Sequence, residues 1–204
     1  SAGHPIYLLE DSAYRELRFT DTDTPSTLTQ PGAEERVIYT GTYSKPFATG
    51  IRAGYGILPE EICTVVSRIK GNHDFGTANL VQHVLSHALQ TDKYERHLEQ
   101  LRKRYARKAA TMLAAMKTHF PETVTWPETK GGLYYWASAP KRTGLKSKFF
   151  QAALDAGVFY VPGPLCYADD PTRKKPDNEM RISFGAASEK NIRTGIRLLG
   201  GVLG

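Results

Sequence analysis

Short, wholly apolar runs and long periodic ones divide this chain between them. Pro5-Ile6-Tyr7-Leu8-Leu9 is apolar throughout and runs into Glu10-Asp11, the pattern of a parallel strand buried on both faces that delivers an acid at its carboxyl end. Carboxyl ends of strands are where open α/β sheets bind their ligands. The stretch from Thr20 to Arg36, rich in Thr, Asp, Pro and Gly, predicts a loop. Val37-Ile38-Tyr39 predicts a second strand that runs into Thr40-Gly41-Thr42-Tyr43-Ser44-Lys45, so polar groups again collect beyond a strand end. Gly54 to Leu58 predicts a third strand. Pro59-Glu60-Glu61 opens a helix expected to reach about Lys70, and Thr77 to Leu89 carries another helical pattern.

The strongest periodicity follows. Tyr94, Leu98, Leu101, Tyr105, Ala109, Met112, Met116 and Phe120 recur at steps of three and four, which predicts an amphipathic helix of about 27 residues. After Pro121 the texture changes to short elements: strands at Leu133 to Ala137, Val158 to Val161 and Met180 to Phe184, and a helix near Lys146 to Ala156. Ser188 is placed to cap a last helix whose apolar face is Ile192, Ile196 and Leu199. The pattern as a whole is α/β, with a compact α+β unit at the end. The expected division is between residues 1–101 and residues 102–204.

Composition narrows the class. With 40% hydrophobic and 24% charged residues the chain is neither disordered nor membrane-embedded. No apolar run approaches the ~20 residues that cross a bilayer, and the first residues lack a signal-peptide pattern, so a cytoplasmic location without membrane contact is the expectation. The net charge of +6 is spread among acidic residues. Its densest run, Arg102 to Lys108, falls in the long helix and suits a solvated face, so no nucleic-acid partner is expected. Cys63 and Cys166 have no metal-ligand spacing and no Cys or His companion nearby; neither a zinc site nor a disulfide is expected, and both fit buried small residues.

Chemistry gathers in one segment. Thr42-Tyr43-Ser44-Lys45-Pro46-Phe47-Ala48-Thr49-Gly50-Ile51-Arg52-Ala53-Gly54-Tyr55 resembles the lysine signature of class I/II, fold-type I aminotransferases, a Ser-x-Ser-Lys element followed by Pro-Gly-x-Arg-x-Gly. Thr42 replaces the first Ser and keeps a hydroxyl. Thr49 replaces the Pro and gives up a rigid turn residue. The resemblance implies a pyridoxal 5'-phosphate enzyme in which Lys45 forms the imine with the cofactor and moves the substrate's α-proton, while Arg52, Thr42 and Ser44 hold the phosphate. The chemistry suits the residue types, because an aldehyde needs an amine and a phosphate needs a planar donor fork and hydroxyls.

Upstream, Asp11-Ser12-Ala13-Tyr14 resembles the family's strand-end Asp-x-x-Tyr, in which the Asp faces the pyridine nitrogen and the Tyr the ring oxygen. A carboxylate there keeps the nitrogen protonated and the ring an electron acceptor. Alone, Asp11 reads as an acid that ends a strand or caps a helix; its place one loop and one strand before Lys45 matches the family's order and favours the functional reading. Downstream, Pro127 to Trp136, Gly157 to Gly163 and Met180-Arg181-Ile182-Ser183-Phe184 resemble three segments of the family's small domain. The last implies that Arg181 binds the substrate carboxylate through two parallel hydrogen bonds.

The resemblance covers the whole chain but only the C-terminal part of a family member. It implies that residues 1–101 are the C-terminal half of the cofactor-binding large domain, contributing part of its sheet, and that residues 102–204 are the small C-terminal domain. It further implies amino-acid and 2-oxo-acid substrates, a homodimer in the full-length protein, and a fragment inactive by itself. Three alternatives stay open: another fold-type I lyase or synthase, the aminotransferase-like effector domain of a bacterial transcription regulator, and a catalytically silent fragment that serves as an interaction domain.

Overall fold

Leu8–Asp11 forms β1, which pairs in parallel with β2, Val37–Thr42, in the register Leu8 to Val37 and Asp11 to Thr40. β3, Gly54–Ile57, returns antiparallel along the other side of β2, so the order is β1-β2-β3. The parallel register brings the carboxyl ends of β1 and β2 to one edge of this sheet, with Asp11 and Thr42 both there. The computed structural model describes residues 3–20 and 22–204. Asp21, in the expected Thr20–Arg36 loop, lies outside the described residues; the rest of that loop carries two short 3-10 turns, Thr27–Thr29 and Ala33–Glu35.

Three helices follow: α1, Glu60–His73; α2, Asn79–Gln90; and α3, Lys93–His119, as long as the 3.6-residue period demands. Two compact units divide the chain, Ser1–Arg102 and Lys103–Gly204, with the division inside α3. In the first unit, Ala88 on α2 packs with Tyr94 and Leu98 on α3, and Tyr43 and Phe47 close over them.

The apolar run at β1 has the pattern of a strand buried on both faces, yet it is exposed here, while β2 between the two edges keeps Val37 and Tyr39 buried. Leu9 is 61% and Ile57 52% exposed, and α1 has no buried residue, with Ile69 at 62%. The reason is topological: β1 and β3 are both edges of a sheet of three, and no described element covers their outer faces. The same exposure overturns the expectation for the cysteines. Cys63 is exposed because it sits on the uncovered α1, and Cys166 because it ends a short surface turn, Gly163–Cys166.

The second unit is closed. β4 (Tyr134–Ser138), β5 (Val161–Pro162) and β6 (Glu179–Ser183) make an antiparallel sheet in the order β4-β6-β5. α4 is Lys148–Asp155 and α5 is Glu189–Leu203; α5 is capped by Ser188, whose hydroxyl accepts from the Asn191 amide. Ile192, Ile196 and Leu199 are buried with Ala137, Met180, Ile182 and Phe184. The strand expected from Val158 begins only at Val161. Gly157, at φ 79°, ends α4 in the left-handed conformation, and the Val158 amide bonds back to the Ala153 carbonyl at 2.8 Å. Val158 therefore belongs to the helix cap. No described helix is long and apolar enough to cross a membrane.

Candidate active site

Beyond β2 the chain makes a tight turn around Lys45. The Tyr43 amide donates to Ala53 O at 3.0 Å, and Tyr43 O accepts from the amides of Phe47 and Ala48 at 3.0 and 3.1 Å. Ser44 and Pro46, on either side of the lysine, are buried, while Lys45 itself is exposed. Its ammonium lies 5.7 Å from the centroid of the Tyr14 ring, within cation–π range. Tyr14 follows β1 and Lys45 follows β2, so the two strand exits deliver their candidate residues to each other. Asp11, also at the β1 exit, is exposed, and one of its carboxylate oxygens accepts from the Ala13 amide at 3.1 Å.

The anion-binding candidates meet in the same turn. Arg52 Nη1 donates to Ser44 Oγ at 3.3 Å, across the returning loop. Arg52 holds φ 45° and ψ 36°, a left-handed conformation seldom adopted by a residue with a side chain. Backbone conformations of this kind concentrate at functional sites, where the surrounding structure imposes them. Thr42 plays a more local part: its hydroxyl donates to Ala53 O at 3.2 Å and accepts from the Ser44 amide at 3.1 Å. Its one proton is spent inside the turn. The Ser44 hydroxyl, an acceptor from Arg52, keeps its own proton to give. An exposed guanidinium beside a free hydroxyl proton is a donor set that suits a phosphate, and an open carboxylate on the adjacent strand end suits a pyridinium nitrogen. The residues present therefore fit pyridoxal phosphate.

Arg181 lies on β6 of the second unit, opposite Trp136 and Val161, with its guanidinium carbon 5.0 Å from the Tyr134 ring centroid. Among the described residues it makes no ion pair, which leaves its fork available to a carboxylate.

Two features of this region were not singled out in the sequence. The first is Glu10, whose carboxylate accepts from Ser26 Oγ at 2.9 Å, the Thr27 amide at 2.8 Å, the Thr27 hydroxyl, and Ser12 Oγ at 3.2 Å. These bonds, that from the Thr27 hydroxyl foremost, hold its pKa below the ordinary value, and they fasten the Ser26–Thr27 loop to the strand residue beside Asp11. The neighbouring acids Glu10-Asp11 were a visible signal, but only contact could divide their roles. The second is a set of tyrosines, Tyr39, Tyr43, Tyr55 and Tyr94, around a cavity of about 190 Å³ beneath the turn. Gly41 makes room for it: a side-chain carbon there would stand 2.5 Å from the Tyr55 ring. Burial, then the neighbouring Tyr39, pushes the Tyr55 phenol up to about 12. A wider groove, between Glu34–Arg36 and the start of α1, contains none of the candidate residues.

This geometry can be set beside known proteins. The family model for aminotransferase class I and II matches residues 1–199. The chain belongs to that family. It is 33% identical over 97% of its length to an uncharacterized aminotransferase of Saccharolobus solfataricus, and spans 48% of that protein. It is 30% identical over 95% of its length to an uncharacterized HTH-type transcriptional regulator of Bacillus subtilis, and spans 38% of it. The α-aminoadipate aminotransferase of Thermus thermophilus, complexed with N-(5'-phosphopyridoxyl)-L-leucine, superposes with a TM-score of 0.84 at 31% identity, covering 97% of this chain and 50% of that one. The chain thus has the aminotransferase fold over about half the length of its aminotransferase relatives, as the lysine signature implied.

Proposed function

We propose that the complete protein is an aminotransferase that moves an amino group between an amino acid and a 2-oxo acid with pyridoxal 5'-phosphate as cofactor. The observation that carries this reading is the turn at Lys45, which holds the Ser44–Arg52 pair and exposes an amine over the Tyr14 ring. Family membership and the phosphopyridoxyl adduct of the Thermus relative support it. When bound, pyridoxal phosphate supplies an aldehyde for an amine and a ring that accepts electrons. Lys45 then holds the cofactor and, once freed by substrate, takes and returns the α-proton at its Nζ. Arg52 and Ser44 bind the phosphate, with Thr42 bracing the turn that carries them. Asp11 keeps a proton on the ring nitrogen, Tyr14 donates toward the ring oxygen, and Arg181 orients the substrate carboxylate.

In this reading residues 1–101 are the C-terminal half of the cofactor-binding domain and residues 102–204 the small domain of a cytoplasmic homodimer. The test is borohydride reduction of the complete protein with pyridoxal phosphate, followed by peptide mapping and an assay of amino-group transfer. Label on Lys45 with turnover is expected; label on another lysine would sink the assignment. The likeness to the Bacillus regulator favours a second reading, an effector domain with the same Lys45 chemistry. That reading predicts label on Lys45 without turnover on any amino-acid and oxo-acid pair.

A further inference from the structure

Lys45 faces solvent while the residues on both sides of it turn inward. Ser44 is 6% exposed, Pro46 is fully buried, and Tyr43 and Phe47 pack onto the cluster of Ala88, Tyr94 and Leu98. Both rings meet the same partner. Tyr43 lies edge-on to Tyr94 at 6.0 Å, and Phe47 lies tilted against it at 6.0 Å. Each ring has a second contact as well, Tyr43 with Tyr55 at 5.6 Å and Phe47 with His97 at 5.8 Å. Tyr94 is buried near the start of α3, so the turn is seated on a helix.

From this arrangement we propose that Tyr43, Phe47 and Tyr94 form an aromatic clamp that positions Lys45 for capture of an aldehyde cofactor. The proposal rests on the cofactor-linking role of Lys45 given above. A lysine side chain has four rotatable bonds, and Lys45 makes no hydrogen bond or ion pair with any described residue that would limit them. Beyond the contact with the Tyr14 ring, it is the placement of its backbone that limits where its amine can reach. The Tyr43 amide bond to Ala53 O continues the β2–β3 ladder and ties the base of the turn to the sheet, and the bonds Tyr43 O accepts close the turn itself. The two rings seat the turn on α3. They bracket Lys45 at two residues before and two after, and both are held by Tyr94. A displacement of about 1 Å at a reacting atom is enough to cost on the order of a hundredfold in rate. The three rings are positioning residues, since none of them supplies the reacting nitrogen.

The experiment separates capture from binding in the complete protein. Capture, in which the Lys45 nitrogen bonds the aldehyde carbon and water leaves, is followed by the absorbance near 420 nm and by borohydride-fixed label on Lys45. Binding without capture is measured with pyridoxamine 5'-phosphate, which has no aldehyde. Tyr94→Leu and Tyr43→Leu are expected to slow capture at least tenfold and to leave pyridoxamine phosphate affinity within about twofold, because the phosphate contacts remain. Tyr94→Phe and Tyr43→Phe keep the rings and are expected to restore the rate. Capture at the unsubstituted rate in both leucine variants would overturn the clamp. A parallel loss of capture, affinity and melting temperature in Tyr43→Leu, the less buried position, would also overturn it by assigning the rings to folding alone. Absence of label on Lys45 in the unsubstituted protein would instead remove the reading on which the clamp rests.

Discussion

At the scale of single residues, Arg52 joins an unfavourable backbone to a needed side chain. The left-handed conformation costs a residue with a β-carbon about 1–2 kcal/mol, and glycine escapes that cost while losing more entropy on folding. Arg52→Gly is therefore expected to leave the stability of the complete protein within about 1 kcal/mol of its original value. Cofactor affinity is a different matter, because a charge-assisted hydrogen bond to phosphate contributes about 1.5–3 kcal/mol, or roughly ten- to a hundredfold. A thermal melt and a pyridoxamine phosphate titration on the same variant check both halves. Unchanged affinity would remove Arg52 from the phosphate site. Asp11→Asn belongs to the same scale. It is expected to slow α-proton removal in single-turnover kinetics far more than it weakens cofactor binding, since an amide cannot hold the ring nitrogen protonated.

Between elements, close approach decides what a position tolerates, and α5 provides a comparison within one helix. A β-carbon on Gly200 would stand 2.9 Å from the carbonyl carbon of His119 and closer still to its oxygen, at the end of α3. Backbone cannot yield as a side chain can, so Gly200→Ala is expected to destabilise the second unit by about 1–3 kcal/mol. The adjacent Gly201 has nothing within 4 Å of such a carbon. Gly201→Ala is expected to stabilise by up to about 1 kcal/mol, through helix propensity alone. Denaturant unfolding of the two variants reads the opposite signs directly. A destabilising Gly201→Ala would mean that α5 is covered on its outer side.

For the whole molecule, the consequences lie in what the first unit leaves open and in how acid loosens it. Ile6, Leu9, Ile57 and Ile69 are all more than half exposed, and among the described residues β1 and β3 each present an unpaired edge. Such surface drives association. The 204-residue chain by itself is expected to sediment as more than a monomer, and replacing Leu9 and Ile57 by Ser to reduce that association. A monodisperse monomer at micromolar concentration would show that these faces do not govern its behaviour. Acid acts on Glu10 in the first unit and on Asp177 in the second. The Asp177 carboxylate is lowered first by its bond from Arg142 and also accepts from the Gly144 amide. Both folded pKa values lie below the ordinary 4.5 and 3.8, so their stabilisation is present above those values and is lost as pH falls through the lower, folded ones. Glu10→Gln is expected to lower the melting temperature at pH 7, and its deficit to shrink as pH drops below about 4. A deficit that stays constant with pH would assign the effect to shape instead of charge.

Most of the local structure was legible in the order of residues because it depends on local repetition. The period of α3, the Ser188 cap, the strand exits at Asp11 and Thr42, and the lysine signature each show within a window of a turn or two. That was enough for the fold class and the family. Three things needed the folded chain. The apolar run at Leu8–Leu9 looks the same whether a neighbour covers it or not, so its exposure depends on which elements surround the sheet. The division of labour between Glu10 and Asp11 depends on a loop 16 residues further on folding back over one carboxylate and not the other. And the support beneath Lys45 comes from Tyr94, far along the sequence, because the seat of a turn is set by whatever packs under it and not by its own residues.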